Sequence, residues 1–286
     1  MAFNFSVFKV RAVSAVFFTI VMVAGLLWNQ WSFFALFLII QLGCLYEYQK
    51  LMRLIFPNYA SVTSIHKWGT LVMGTGILLA HCASTLSLGT IALNKIGIPM
   101  FVVVFGGILA SELMNKKFNL KNWAITLFGL LYIAFSLSLF FPLRAYMSNT
   151  FFGDFGYAIP LILIITIWLN DTFAYIVGSF IGKRPLSSIS PNKTWEGTIA
   201  GIVLSVIIVT KLAGLYIPVT ERLILYISIV AAITGTFGDL FESKLKRMAG
   251  VKDSGSMMPG HGGFLDRFDS ILLATPFVWL LLQILY

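Results

Sequence analysis

The sequence predicts an all-α, polytopic integral membrane protein with about nine transmembrane helices. Three observations carry that reading: charged residues make up 11% of the chain against 58% hydrophobic, mean hydropathy is +0.90, and nearly uncharged runs of membrane-spanning length recur from end to end. A soluble domain carries about 25% charged residues, and a helix needs roughly 17 to 25 apolar residues to cross the hydrocarbon core. A chain of 286 residues is filled by such spans. It therefore reads as one transmembrane domain over 1–286, with an N-terminal helical part at 1–150 and a C-terminal part at 151–286.

The uncharged runs place the nine spans at about 12–28, 31–46, 68–90, 96–113, 123–143, 157–181, 197–216, 223–240 and 270–286. Lys9 and Arg11 before the first run imitate a secretory signal, but a second run begins at Trp31 with no small-residue cleavage site between, so a retained helical hairpin is expected. With the N-terminus in the cytoplasm, 16 of the 20 Lys and Arg residues fall on the cytoplasmic side, as the positive-inside rule requires. The net charge of +9 then reports orientation and contact with anionic lipid headgroups, and nucleic acid is not an expected partner.

Most isolated polar residues read as structural. Cys44 and Cys82 lie in apolar runs without metal-ligand spacing and read as small core residues. His66, in a connection broken by Pro57, reads as interfacial, and His81 as a hydrogen-bonding partner of a neighbouring helix. Glu47 and Glu112, at the cytoplasmic ends of the second and fourth spans, read as solvated helix ends, with a role in a polar cavity as the alternative.

Three stretches of the C-terminal part are different. Asn170-Asp171 interrupts the sixth run near its middle, where a carboxylate is costly unless it faces a polar cavity or partner; a site role is the default and an interhelical polar contact the alternative. In the loop that follows, Ser190-Pro191 resembles an N-cap with proline at the first helical position, which would put Lys193 and Thr194 in a helical first turn. Such a turn suits an anion, or it is an ordinary capped helix with a solvated lysine. The densest stretch runs from Gly235 to Asp269, where ten of the 31 charged residues fall within 35 positions.

In that stretch Asp239, Glu242, Ser243, Lys246 and Arg247 are spaced to share a helix face, and Asp266 and Asp269 do the same at the start of the ninth span. Carboxylates from separate helices beside Lys and Arg suit a divalent metal held against phosphate oxygens; a salt-bridge network is the plainer reading. Between them, Gly262 and Gly263 permit close backbone approach to a ligand, and His261 is a polar contact or a phosphate-side donor. These residues point to an enzyme acting on phosphate groups at the cytoplasmic membrane surface.

The run from Ser243 to Asp269, SKLKRMAGVKDSGSMMPGHGGFLDRFD, closely resembles the signature of the phosphatidate cytidylyltransferases, also called CDP-diacylglycerol synthases. Asn170-Asp171-Thr-Phe-Ala-Tyr, Gly182-Lys183 and Ser190-Pro-Asn-Lys-Thr-Trp-Glu-Gly197 look like a second block of that family, and together the blocks cover roughly the C-terminal 40% of the chain. The resemblance implies transfer of CMP from CTP to phosphatidic acid in phospholipid biosynthesis, with Mg2+, a second, monovalent cation, and often a homodimer. A bacterial inner membrane is expected, and the cation distribution puts the N-terminus and active site on its cytoplasmic face.

Roles then follow for the matching residues. Asp239 and Asp266 are expected as metal ligands, with Asp269 and Asp171 as alternative ligands. Lys193, Lys246 and Arg247 are expected to hold phosphates, with His261 beside them, and Lys252 and Arg267 to serve either substrate. Asn170, Asp171, Ser190, Thr194, Gly262 and Gly263 are expected to line the substrate site. Two rival readings use the same polar residues: a CTP-dependent kinase of a polyprenol-type lipid alcohol, which would release CDP, and an ion or lipid transporter, which would need no nucleotide.

Overall fold

The computed structural model describes residues 5–148, 154–217, 219–257 and 262–285, with side chains from 13 onward. His261 lies outside the described residues. The protein is an all-α polytopic membrane protein. Among the described residues, seven helices are long and apolar enough to cross a membrane: Gln30–Ile55, Asn94–Met114, Leu120–Ala145, Ala158–Ile181, Trp195–Tyr216, Glu221–Met248 and Leu265–Leu285. Nine spans are expected from sequence. The other two regions hold shorter helices, the apolar Val13–Leu27 as described and the 17-residue Ser64–Ala80.

The chain forms two compact units. The first comprises Met1–Ser138 and Met248–Phe268. Its α1 (Phe5–Leu27) and α2 (Gln30–Ile55) make the expected helical hairpin, and the turn is fixed by a reciprocal cap: Asn29 Oδ1 accepts from the Ser32 N–H at 2.8 Å, while Ser32 Oγ accepts from the Asn29 N–H at 3.0 Å. Pro57 cannot continue α2, so Phe56 turns extended and a short α3 (Pro57–Ala60) follows. Thr63 then caps α4 (Ser64–Ala80), accepting from the His66 N–H at 3.1 Å.

The third expected span, 68–90, is too long at its C-terminal end, because α4 stops at Ala80. Beyond it Ser84, Thr85, Ser87 and Gly89 favour turns, and the chain makes a small hairpin of β1 (Ser87–Leu88) and β2 (Ile91–Ala92) before α5 (Asn94–Met114). After Asn119 caps it, α6 (Leu120–Gly129) passes through a π-helical turn, Leu130–Phe135, into α7 (Ser136–Ser138).

A buried polar network ties α3, α4, α5 and α6 together. His66 Nδ1 lies 2.7 Å from Glu112 Oε1, and His66 Nε2 lies 2.7 Å from Thr126 Oγ1. Trp123 Nε1–H donates to Glu112 Oε2 at 2.8 Å, and Tyr59 OH is 3.0 Å from Thr126 Oγ1. His66 and Thr126 are fully buried and Glu112 nearly so, which corrects the sequence reading of an interfacial histidine and a solvated glutamate. The physical reason is pairing: each polar atom satisfies another, which a buried charge requires. His81 is corrected too, since its Nδ1 bonds the Ile77 carbonyl of its own helix at 3.0 Å. Cys44 and Cys82 are buried, as expected of core residues.

The second unit comprises Leu139–Arg247 and Asp269–Tyr286. It contains α8 (Phe140–Ala145), α9 (Ala158–Ile181), a hairpin of β3 (Pro185–Ser187) and β4 (Ser190–Thr194), α10 (Trp195–Tyr216), and most of α11 (Glu221–Met248) and α12 (Leu265–Leu285). Helices α9 and α10 pack closely where Gly201 meets Asn170: a Cβ on Gly201 would lie 2.7 Å from the Asn170 carbonyl oxygen. Small residues at such a seam let backbones approach where no water-driven force pulls helices together.

Candidate functional site

The loop after α9 folds differently from its sequence reading. Ser190 precedes a proline, which disfavours helical backbone there, and the chain pairs antiparallel with Pro185 opposite Thr194 and Ser187 opposite Ser190. Helix α10 therefore starts at Trp195, and its N-cap is Thr194, whose Oγ1 accepts from the Gly197 N–H at 3.2 Å. Ser190 does not cap the helix, and Lys193 stands on β4 instead of in a first turn. Glu196 braces the hairpin, accepting the N–H groups of Lys183 and Arg184 at 3.1 and 3.2 Å.

From β4 the Lys193 ammonium pairs with Asp239 Oδ2 on α11. Both side chains are about three-quarters buried, at 27% and 23% exposed. Burial on its own would lower the pKa of Lys193, but the carboxylates of Asp239, Asp171 and Asp269 outweigh it and hold the lysine above its ordinary value. The second oxygen of Asp239 lies 3.3 Å from Ser243 Oγ, and Glu242 pairs with Lys246 at 2.5 Å, so the expected four-residue spacing does place these groups side by side along α11.

Asn170 and Asp171 sit midway along α9, facing different surroundings. Asn170 is buried and donates from Nδ2 to Thr236 Oγ1 at 3.1 Å. Asp171 is exposed on the protein surface yet within electrostatic reach of Lys193. Asp269 is buried, takes the Ser270 N–H at 2.6 Å, and interacts with Asp239, Glu242 and Asp171. The second unit thus gathers four acids, Asp171, Asp239, Glu242 and Asp269, around two ammonium groups, Lys193 and Lys246. The acids outnumber these bases by two. Such an environment favours cations and arranges ammonium groups for anions. Among the described residues, no three His, Cys, Asp or Glu side chains converge closely enough to hold a metal ion as they stand.

The first unit carries a separate polar cluster in the signature loop. Asp266 Oδ2 accepts from the Ser254 N–H at 2.9 Å, the Ser254 hydroxyl at 2.9 Å and the Gly263 N–H at 2.8 Å. Gly262 adopts φ +82°, a conformation glycine reaches without a steric cost. Lys252 and Arg267 are exposed, as is Arg247 in the second unit. Two participants escaped the sequence reading. Ser254 lies within the signature between Asp253 and Gly255, residue types that favour a turn, and that local signal could have flagged it. Glu47 bonds to this loop from α2, and nothing in the local sequence of α2 signals that.

The chain matches a family model described as the cytidylyltransferase family over residues 9–285. A phosphatidate cytidylyltransferase of Thermotoga maritima is 36% identical over 197 residues, covering 65% of this chain and 70% of that relative. One of Bacillus subtilis is 35% identical over 195 residues, covering 67% and 70%.

Proposed function

Because the chain belongs to the cytidylyltransferase family, we propose that it transfers the cytidylyl group of CTP to phosphatidic acid, giving CDP-diacylglycerol and pyrophosphate. The observation that carries the proposal is Lys193 held charged among Asp239, Asp171 and Asp269 beside the Glu242–Lys246 pair. A phosphatidate oxygen attacks the α-phosphorus of CTP, the bond to the β-phosphate oxygen breaks, and pyrophosphate leaves with that electron pair. The phosphatidate oxygen is already anionic near neutral pH, so no protein nucleophile or general base is needed.

What the reaction asks of the protein is charge and position. Lys193, Lys246 and Arg247 hold phosphate oxygens of CTP as negative charge shifts to the leaving group. Lys252 and Arg267 are offered to either substrate, with Asn170, Asp171, Ser190 and Thr194 lining the nucleotide's approach. Gly262 and Gly263 let backbone come close to a ligand, and His261 acts beside them.

The excess of acids in the second unit and their all-oxygen donor set fit Mg2+. Mg2+ usually takes one or two carboxylates together with substrate phosphates and water, so Asp239 would hold it there, with Asp269 and Asp171 as alternative ligands; Asp266, in the other unit, is proposed as a ligand on the signature alone. When bound, the ion supplies neutralisation of phosphate charge. A second, monovalent cation suits the same acid excess. The protein is further proposed to work as a homodimer in a bacterial inner membrane, with its N-terminus and active site on the cytoplasmic face.

The test is pyrophosphate release by purified protein with each of the four nucleoside triphosphates, with and without phosphatidic acid. Release with CTP only, and only with the lipid present, is expected. Release of CDP with a lipid alcohol would replace the proposal with a kinase.

A further inference from the structure

Glu47 is 94% buried on α2, and three donors converge on its two oxygens. Oε1 accepts the Phe264 N–H at 3.0 Å; Oε2 accepts the Leu265 N–H at 2.9 Å and the Ser254 hydroxyl at 2.7 Å. Every partner is a donor, so the group fits as an acceptor-only carboxylate. Phe264 and Leu265 open α12, where backbone N–H groups have no partner within the helix. Glu47 therefore caps α12 from another helix, more than two hundred positions earlier in the chain.

The loop is shaped around that carboxylate. A Cβ on Gly255 would lie 2.1 Å from Oε1, and one on Gly263 would lie 2.2 Å from Oε2. One turn before Glu47, a Cβ on Gly43 would lie 2.3 Å from the Phe264 ring, so the same helix seats the ring as well as the backbone. The Ser254 hydroxyl also lies 2.9 Å from Asp266 Oδ2. A single proton cannot serve both carboxylates fully, and the 2.7 Å contact with Glu47 is the shorter.

We propose that Glu47 is a positioning residue for the cytidylyl transfer, holding Ser254, the Gly262–Gly263 backbone and Asp266 in their working arrangement without itself touching substrate. The proposal rests on the reaction assigned above. Glu47→Gln is the sharpest probe, because an amide keeps the volume but turns an N–H group toward backbone or hydroxyl donors whichever way it is flipped.

The experiment measures kcat, KM for CTP and hydrogen exchange on full-length wild-type, Glu47→Gln and Ser254→Ala proteins in lipid nanodiscs. Misplacement of reacting groups by about 1 Å costs on the order of 10²-fold in rate. A fall of that order in kcat is expected for Glu47→Gln, with KM for CTP little changed and faster amide exchange confined to the peptides holding Ser254 and Gly263 to Leu265. Ser254→Ala removes one donor and leaves the backbone pair, so a smaller loss of the same kind is expected, and it carries the test should Glu47→Gln fail to fold. The double variant should lose less than the product of the two single losses. Unchanged kcat in a folded variant, or unchanged exchange in those peptides, overturns the proposal. An inactive wild-type protein would instead sink the assigned reaction, and the positioning role with it.

Discussion

Lys193 and Asp239 are ion-paired across 46 positions of sequence, from the last strand of a hairpin to the C-terminal half of a membrane helix. Neither residue is deeply enough buried to lock the pair, and neither is exposed enough to make it incidental. Under the proposed reaction, an ammonium so placed would pass from a carboxylate to an incoming phosphate without leaving its site.

Lys193→Met is accordingly expected to lower turnover with CTP by roughly 10²- to 10³-fold, the usual cost of losing a group that meets developing negative charge. The protein should remain folded. Its stability difference from wild type carries a pH signature. A group whose pKa is raised on folding contributes stability that is complete below its unfolded value, about 10.4 for lysine, and is lost as pH rises through the higher folded value. The gap in unfolding temperature between the two proteins should thus be flat from about pH 6 to 9 and shrink only in stronger alkali. A gap that already narrows below about pH 9 would contradict the charge environment described here.

Asp239→Asn and Asp266→Asn should both lower the rate by orders of magnitude, for different reasons. Asp239→Asn leaves Lys193 without its nearest carboxylate, at a stability cost on the order of 1 kcal/mol for a partly screened pair. Asp266→Asn instead weakens the three bonds that close the signature loop. A Mg2+ titration of each purified variant checks the ligand assignment: a true ligand's loss raises the Mg2+ concentration for half-maximal rate, and an unchanged requirement at near-normal rate removes that residue from the site.

Glu112→Ala should destabilise the N-terminal unit by about 2–3 kcal/mol, because it strands the His66 and Trp123 ring donors in a buried setting. At temperatures where the variant is folded, kcat should match wild type. Thermal unfolding with parallel turnover assays separates the two quantities, and a kcat loss without a stability loss would give this network a part in the reaction.

Single cysteines introduced beside Lys193 and in the loop carrying His261 should be labelled from the cytoplasmic side in intact cells, as the distribution of 16 of 20 cations predicts. Labelling of either from the opposite face would reverse the orientation and the route by which CTP arrives.

The sequence was most informative where polarity interrupts an apolar run. Asn170-Asp171 stands out because such a pair in the middle of a span needs a reason, and the four-residue spacings on α11 translate directly into paired side chains. It was least informative where the reason lies far away. Glu47 and Glu112 look like helix ends, and His66 like an interfacial residue, when only their neighbours are read; yet Glu47 bonds donors 207 to 218 positions away and His66 meets Glu112 across 46. Ser190 misled for the opposite cause: Ser-Pro is a strong local start signal, but a proline compatible with extended backbone also permits a strand, and pairing with Pro185 to Ser187 decided the matter. The third span ran long because Leu, Ala and Cys kept the average apolar through residues whose turn preference ends the helix.

The bonds from Glu47 to Ser254, Phe264 and Leu265 also set a timetable for biogenesis. A ribosome delivers α2 to the membrane long before it has made any of the three partners, which follow 207 to 218 residues later. Throughout that interval none of the three donors exists, so the glutamate depends on water or another polar group, and a position at the bilayer surface is the least costly one for that end of the nascent helix. Only when translation has passed Leu265 can that end be covered. A chain that stops before Ser254 lacks all three donors and with them the bonds that Glu47 makes in the full-length protein.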